Sequence, residues 1–182
     1  LMFKLNSSLF LIFFLGFFVN FSQEINWISF EKAMEAQKTL PKNIIMDVYT
    51  NWCGPCKLME KNTFQNKFIA GYINKHYYAV KFNGEGNEEI NFMGRKFENI
   101  RYDESKSQTR NSSHQFTQFL GINAYPTTLF FDDKMNLITP IRGYLIPKQL
   151  EIYLELFKKD KYKSITSQED FDKFIKTFKS RL

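Results

Sequence analysis

The sequence predicts an α/β fold in which one mixed β-sheet is flanked by helices, and three observations predict it. Segments of strand and helix character follow one another as β-α-α-β, then a polar insert, then α-β-β-α, the alternation that layers helices on a sheet. The run Asn43 to Thr50, NIIMDVYT, is apolar nearly throughout and of strand length, which calls for cover on both faces and hence a central place in the sheet. A chain of 182 residues with 43% hydrophobic and 18% aromatic content is enough for one packed domain with some decoration.

Residues 1–22 are set apart from that domain. One Lys at position 4 and a polar patch precede Leu9 to Phe21, which is almost without a polar atom, and Ser22, Gln23 and Glu24 follow. Such a run rises roughly 20 Å, against a hydrocarbon core of roughly 30 Å, and a charged start before a short apolar stretch is the pattern of a secretory signal peptide. The alternative is an uncleaved membrane anchor. The expected division is therefore 1–22 signal peptide, 23–160 folded domain with an insert at 84–113, and 161–182 a C-terminal helical extension. The formal charge of +6 becomes +5 without Lys4. No cluster of five to eight Lys or Arg accompanies it and both signs interleave, which argues for solubility and against a nucleic-acid partner.

Within the domain, Ser29 to Lys38 reads as a helix turning Phe30, Ala33, Met34 and Ala36 inward, stopped by Pro41. The strand Asn43 to Thr50 holds one anomaly, Asp47, a carboxylate where a core residue is expected. Helix formers follow Cys56, and Asn66 to Lys75 presents Phe68, Ile69, Tyr72 and Ile73 on one face. Tyr77 to Phe82 is a second strand. Residues 84–113 carry six acidic and five basic side chains and are long for a connection; Ile90 to Phe97 fits a hairpin turning at Met93-Gly94 and also a helix, with the hairpin preferred. His114 to Leu120 reads as a helix capped by Ser112 or Ser113, with Gly121 at its end; His114 is placed at the surface and given no chemistry. Strands are expected over Thr127 to Asp132 and Ile138 to Gly143. Pro147 opens a helix to about Lys159 with Leu150, Ile152, Tyr153, Leu154, Leu156 and Phe157 inward. The last helix, capped at Thr166 or Ser167, carries Phe171, Phe174, Ile175 and Phe178 as a stripe packing on its own domain.

The only cysteines, Cys53 and Cys56, stand in Asn51 to Lys57, NWCGPCK. Closing so small a loop does little for stability, so the pair is a poor staple. A thiol reacts as thiolate, and a cysteine where a strand ends and a helix starts faces unpaired N–H groups and the positive end of the helix dipole. Cys53 is thus the better nucleophile, and Cys56, one turn later, can resolve a mixed disulfide. Gly54 permits the tight entry; Pro55 fixes φ at the helix start. A zinc site would need two further ligands, and only His76 and His114 exist, far apart. A c-type haem site would need His where Lys57 stands. No metal and no cofactor beyond the redox-active disulfide is expected.

DVYTNWCGPCK resembles the active-site segment of the thioredoxin family. Asp47 lies six residues before Cys53, where that family has a buried aspartate; Lys81 lies where it has a neighbouring lysine; Tyr125-Pro126-Thr127 resembles its cis-proline loop, and Gly143 the glycine closing its last strand. The likeness covers roughly Asn43 to Phe157, and CKLMEKNTF is similar to the C-terminal thioredoxin-like domains of transmembrane periplasmic electron carriers. It departs in the insert, which precedes the helix before the cis-proline, and in the C-terminal helix. The resemblance implies a thioredoxin fold and further roles. Asp47, its pKa raised by burial, would take the proton of Cys56, with Lys81 tempering the rise. Pro126 would be cis and let the Tyr125 backbone pair with an extended substrate, while Trp52 and Tyr125 form an apolar rim beside Cys53. The expected activity is that of an exported, periplasmic thiol:disulfide oxidoreductase reducing disulfides of exported proteins, with a membrane electron donor. Alternatives are a dedicated redox partner in cytochrome c maturation and a non-catalytic binding module.

Overall fold

The computed structural model describes residues 24–158 and 160–182, so the expected signal peptide lies outside the described residues. Among them no helix is long and apolar enough to cross a membrane.

A two-residue strand, β1 (Trp27–Ile28), opens the fold; two residues carry no alternation, so the sequence gives no sign of it. α1 (Phe30–Gln37) starts at Ser29, whose Oγ accepts from the Lys32 N–H. Its inward face differs from the expected one. Phe30 and Ala33 are buried, Met34 and Ala36 only half-buried, and Gln37 goes inside instead, because its amide satisfies both backbone groups of Lys42 at 2.6 and 2.7 Å as the chain reverses.

β2 (Asn43–Tyr49) leads into α2 (Gly54–Met59), which continues as a π-helical turn over Glu60–Phe64. α3 (Lys67–His76) is capped by Asn66, whose Oδ1 accepts from the Phe68 and Ile69 N–H groups, and β3 (Tyr77–Asn83) follows. The insert holds a hairpin, β4 (Ile90–Phe92) and β5 (Arg95–Phe97). Met93 at φ 52° and Gly94 at φ 72° turn it, the double positive φ of a two-residue turn suited to strand twist. α4 is Gln115–Phe119, β6 Thr127–Phe131, β7 Leu137–Arg142, α5 Pro147–Phe157 and α6 Gln168–Thr177.

The main sheet has the order β1-β3-β2-β6-β7, parallel among its first three strands and antiparallel from β2 onward. β2 is central, and Pro140 is tolerated in β7 because that strand is an edge. Alternation divides β2 between two cores. Ile44, Met46 and Val48 face α1, α4 and the hairpin; Ile45 faces α3 and α5. Asp47 shares the face of Ile45 by the period of two, and across the sheet it pairs in register with Lys81 on β3 and Thr128 on β6.

The insert has a buried side, and two further expectations, for His114 and for the inward face of α5, need correction. The insert is polar in composition, yet Ile90, Phe92 and Phe97 are buried against Phe30 and Phe116, each such side chain stabilising the fold by roughly 1.5–3 kcal/mol. His114 is fully buried, and it, not Ser112 or Ser113, caps α4, its Nδ1 accepting from the Phe116 N–H at 3.0 Å while Nε2–H donates to the Glu88 carbonyl at 2.7 Å; burial lowers its pKa. On α5, Ile152 and Tyr153 are half-buried while Glu151 is 1% exposed, its carboxylate accepting from Ser180 Oγ and from the Arg181 backbone and Nε. α6, capped by Ser167, lays Phe171 and Phe174 against the α3–α5 core, with Phe171 stacked on Tyr153.

Candidate active site

Where β2 ends, the chain turns through Thr50–Trp52 and enters α2, placing both cysteines between the C-terminal end of the central strand and the helix start. Cys53 is the N-cap of α2, with Pro55 in the first turn and the Cys56 N–H directed at Cys53 Sγ from 3.1 Å. That donor favours negative charge on Cys53 Sγ over any other position in the pair. The sulfurs form a disulfide with Cα atoms 5.3 Å apart. Both cysteines are buried, 2% and 6% exposed, whereas Gly54 and Pro55 between them lie in solvent.

A cavity of about 500 Å³ opens beside the pair, and Cys56, Asp47, Glu60, Lys81, Lys57 and Gln108 are among its walls. At its floor Asp47 is 2% exposed. Burial raises its carboxyl from the ordinary 3.8 to about 7; Lys81 opposes the rise and Glu60 adds to it. Among the described residues Asp47 Oδ1 and Thr128 Oγ1, register neighbours on the same face, have no hydrogen-bond partner. Lys81 pairs with Glu60 and lies over the rings of Trp27 and Tyr49, 5.4 and 5.2 Å from their centroids. The ammonium thus pairs with Glu60 and acts on Asp47 only as a nearby charge. Glu60 escapes the sequence reading; the available signal is that it falls four residues after Cys56, one turn on and on the same helix face.

Trp52 and Tyr125 meet edge to face, ring centroids 6.1 Å apart, and the Tyr125–Pro126 bond is cis. Pro126 is buried, its carbonyl accepting from the Gly143 N–H at 2.8 Å. Gly143 has φ 94°, a backbone setting that favours glycine. Tyr125 lies on Gly84 so closely that a Cβ there would come within 2.6 Å of its ring.

The insert builds part of this site, through contacts that the sequence did not name. Glu85 accepts from Trp52 Nε1 at 2.7 Å and from the Asn111 N–H at 2.8 Å, so one carboxylate ties the two ends of the insert to the rim. Asn51 Nδ2 donates to the Ser107 carbonyl at 2.7 Å, and the Arg110 guanidinium lies 4.5 Å over the Trp52 ring. Ser107 to Asn111 therefore runs as a strap along Asn51-Trp52. Among the described residues no group of three or more His, Cys, Asp or Glu is arranged to hold a metal; His76 packs on Tyr72 at the end of α3, far in the chain from the cysteines.

An exposed Gly-Pro turn, a dithiol whose first sulfur caps a helix and a carboxyl that exchanges protons near neutrality together suit reversible thiol–disulfide exchange. A thioredoxin-fold protein from Helicobacter pylori is similar at 22% identity over 75% of this chain and 81% of that one, with a TM-score of 0.57. A thioredoxin from Thermus thermophilus is similar at 8% identity over 76% and 90%, with a TM-score of 0.56. At these identities the likeness is one of fold, the thioredoxin fold. No curated protein matched the chain in sequence. The family model described as a thioredoxin-like domain matches residues 30–158, well over half of the chain, and the protein accordingly belongs to the thioredoxin-like family.

Proposed function

We propose that this protein is an exported thiol:disulfide oxidoreductase that reduces disulfides in exported proteins. Family membership and the Cys53–Cys56 pair support thiol–disulfide exchange in general; the reducing direction is our reading of Gly54-Pro55 between the cysteines, and export that of residues 1–22. The observation that carries the reading is the Asp47 carboxyl, buried on the wall it shares with Cys56 and titrating at about 7.

In the reduced protein the Cys53 thiolate attacks one sulfur of a client disulfide; the client S–S bond breaks and its other sulfur leaves as a thiolate that takes a proton from water. Asp47 then accepts the Cys56 proton, and the Cys56 thiolate attacks Cys53 Sγ. The Cys53–Cys56 bond forms, the mixed disulfide breaks, and the second client thiolate is released and protonated. Two electrons pass to the client, and a dithiol donor, by this reading one in the membrane, must return them. Trp52, Tyr125 and the exposed Gly54-Pro55 turn form the contact face, with the backbone before cis-Pro126 open to pair with an extended client strand.

Cys56→Ser should trap mixed disulfides through Cys53; equal trapping of the same clients by Cys53→Ser would overturn the assignment. A reduction potential near ~−270 mV fits a reductant, and one near ~−120 mV an oxidant. The strap along Asn51-Trp52 favours one second reading, a dedicated client such as the oxidised cysteine pair of a cytochrome c apoprotein. Reduction of such a client at least tenfold faster than of unrelated disulfides would support it. A purified protein with no reductase activity above its Cys53→Ser control would leave only a binding module.

A further inference from the structure

The charge around the dithiol is unevenly distributed. Of the three carboxyls near it, Asp47 is buried at 2% exposure and two are engaged: Glu60 with Lys81, and Glu85 with the Trp52 indole and the Asn111 N–H. Three cations there are not. Lys57 and Lys61, four residues apart on the helix after Cys53, are exposed at the cavity beside Cys56. Arg110 is exposed on the strap, over the Trp52 ring. Among the described residues none of the three has an ion-pair partner. The strap's Gln108 lines the same cavity as the two lysines, so Lys57 and Lys61 stand at one end of the strap and Arg110 towards the other, with the dithiol alongside.

Resting on the reductase reading, we propose that this cationic frame selects client segments whose target disulfide is flanked by Asp or Glu, with Arg110 as the specificity-determining residue contributed by the insert. The physical reason is twofold. Unpaired cations at the rim of a cleft steer acidic chains to it, raising association by factors of ten or more at low salt. A guanidinium held over an indole ring by cation–π attraction makes no hydrogen bond in doing so, which leaves its N–H groups to offer a carboxylate. A client acid next to the attacked cysteine would thus meet Arg110 beside Trp52, and one on the far side would meet Lys57 or Lys61 at the cavity mouth. Clients with basic flanks would face like charges on both sides.

The test is the single-turnover oxidation of the pre-reduced protein, followed by tryptophan fluorescence. The oxidants are two synthetic peptides carrying the same intramolecular disulfide, one with Asp and Glu flanks and one with Lys and Arg flanks, and the uncharged hydroxyethyl disulfide. The wild type should react with the acidic peptide on the order of tenfold faster than with the basic one, a ratio that shrinks as salt is added. Arg110→Glu should collapse or reverse that ratio, and Arg110→Gln should give an intermediate one; both changes are at an exposed side chain. Equal rates for the two peptides in the wild type, or an Arg110→Glu protein that keeps the wild-type ratio, would overturn the proposal. Reduction of hydroxyethyl disulfide without a charge preference would refute the selection alone, whereas no reduction of any of the three would refute the reductase reading and the selection with it.

Discussion

Replacing Asp47 by Asn should favour the oxidised protein more at pH 8 than at pH 4. In the unfolded chain the carboxyl titrates at its ordinary 3.8; in the fold, burial holds it at about 7. Below 3.8 both states are protonated and the group contributes no difference. Between the two values the unfolded chain gives up its proton while the folded protein keeps it, so stability falls by about 1.4 kcal/mol per pH unit until the folded carboxyl ionises. Above about 7 the whole cost, about 4 kcal/mol, is in place. An asparagine side chain has no such titration. Its amide meets the same scarcity of partners that leaves Asp47 Oδ1 unbonded, but that penalty does not change with pH. The diagnostic quantity is therefore the stability of the variant minus that of the wild type, which should grow by about 3–4 kcal/mol from pH 4 to pH 8, or roughly 10 °C in Tm for a chain of this size. Guanidinium unfolding of both oxidised proteins at several pH values measures it. Glu88, which burial also raises to about 7, titrates in the same window in both proteins and cancels in the difference. A difference that stays constant across the range would refute the placement of a near-neutral carboxyl at Asp47, and with it the proton acceptor proposed for Cys56.

Glu60→Gln removes a charge that raises Asp47 and frees Lys81, which lowers it; the pH at which the wild type loses stability should move down, read from the same unfolding series, and an unmoved or raised midpoint would refute the coupling. Gly84→Ala sets a methyl where the Tyr125 ring lies, 2.6 Å away; repacking should cost about 1–3 kcal/mol by denaturant midpoint and slow client reduction together, because Tyr125 packs on Trp52. Arg181→Ala strips the guanidinium from Glu151, which is 1% exposed. A loss of about 1–3 kcal/mol is expected by denaturant midpoint; no loss would mean that the Ser180 hydroxyl and the residue-181 backbone N–H satisfy Glu151 on their own.

How much of this was legible depended on whether the signal was local. Strand β2 showed as an apolar run, the hairpin as Met93-Gly94 between Ile90 and Phe97, and α6 as a Ser cap with Phe spacing. Asp47 stood out because a carboxylate interrupts a buried strand. Residues whose meaning comes from a distant partner did not show. Glu151 looks like any helix-surface acid until Ser180 and Arg181 are brought to it. His114 looks like a surface histidine because its value lies in bonding its own helix start and the Glu88 carbonyl at once. Glu60 and Glu85 acquire roles only when the fold sets Lys81 and Trp52 beside them.

The insert carries the most consequential of these long-range meanings, and it determines how the function must be tested. By composition residues 84–113 are a removable polar loop, and excising them would be the natural way to ask whether they choose the client. Yet Ile90, Phe92 and Phe97 complete the core under α1 and α4, and Asn99 Nδ2 donates to the carbonyls of Glu85, Gly86 and Ser112, lacing the insert's two limbs together. Excision would expose Phe30 and Phe116 and forfeit several kcal/mol, so a silent protein after deletion would report unfolding, not lost selection. The strap is also tied to the rim by Glu85 and Asn51, so even a partial deletion would release Trp52. An exposed tip such as Arg110 can be changed without opening the core or cutting the Glu85 and Asn51 ties to the rim, since its contact among the described residues is with the Trp52 ring alone, so the proposed client choice is a question for single side chains on the strap.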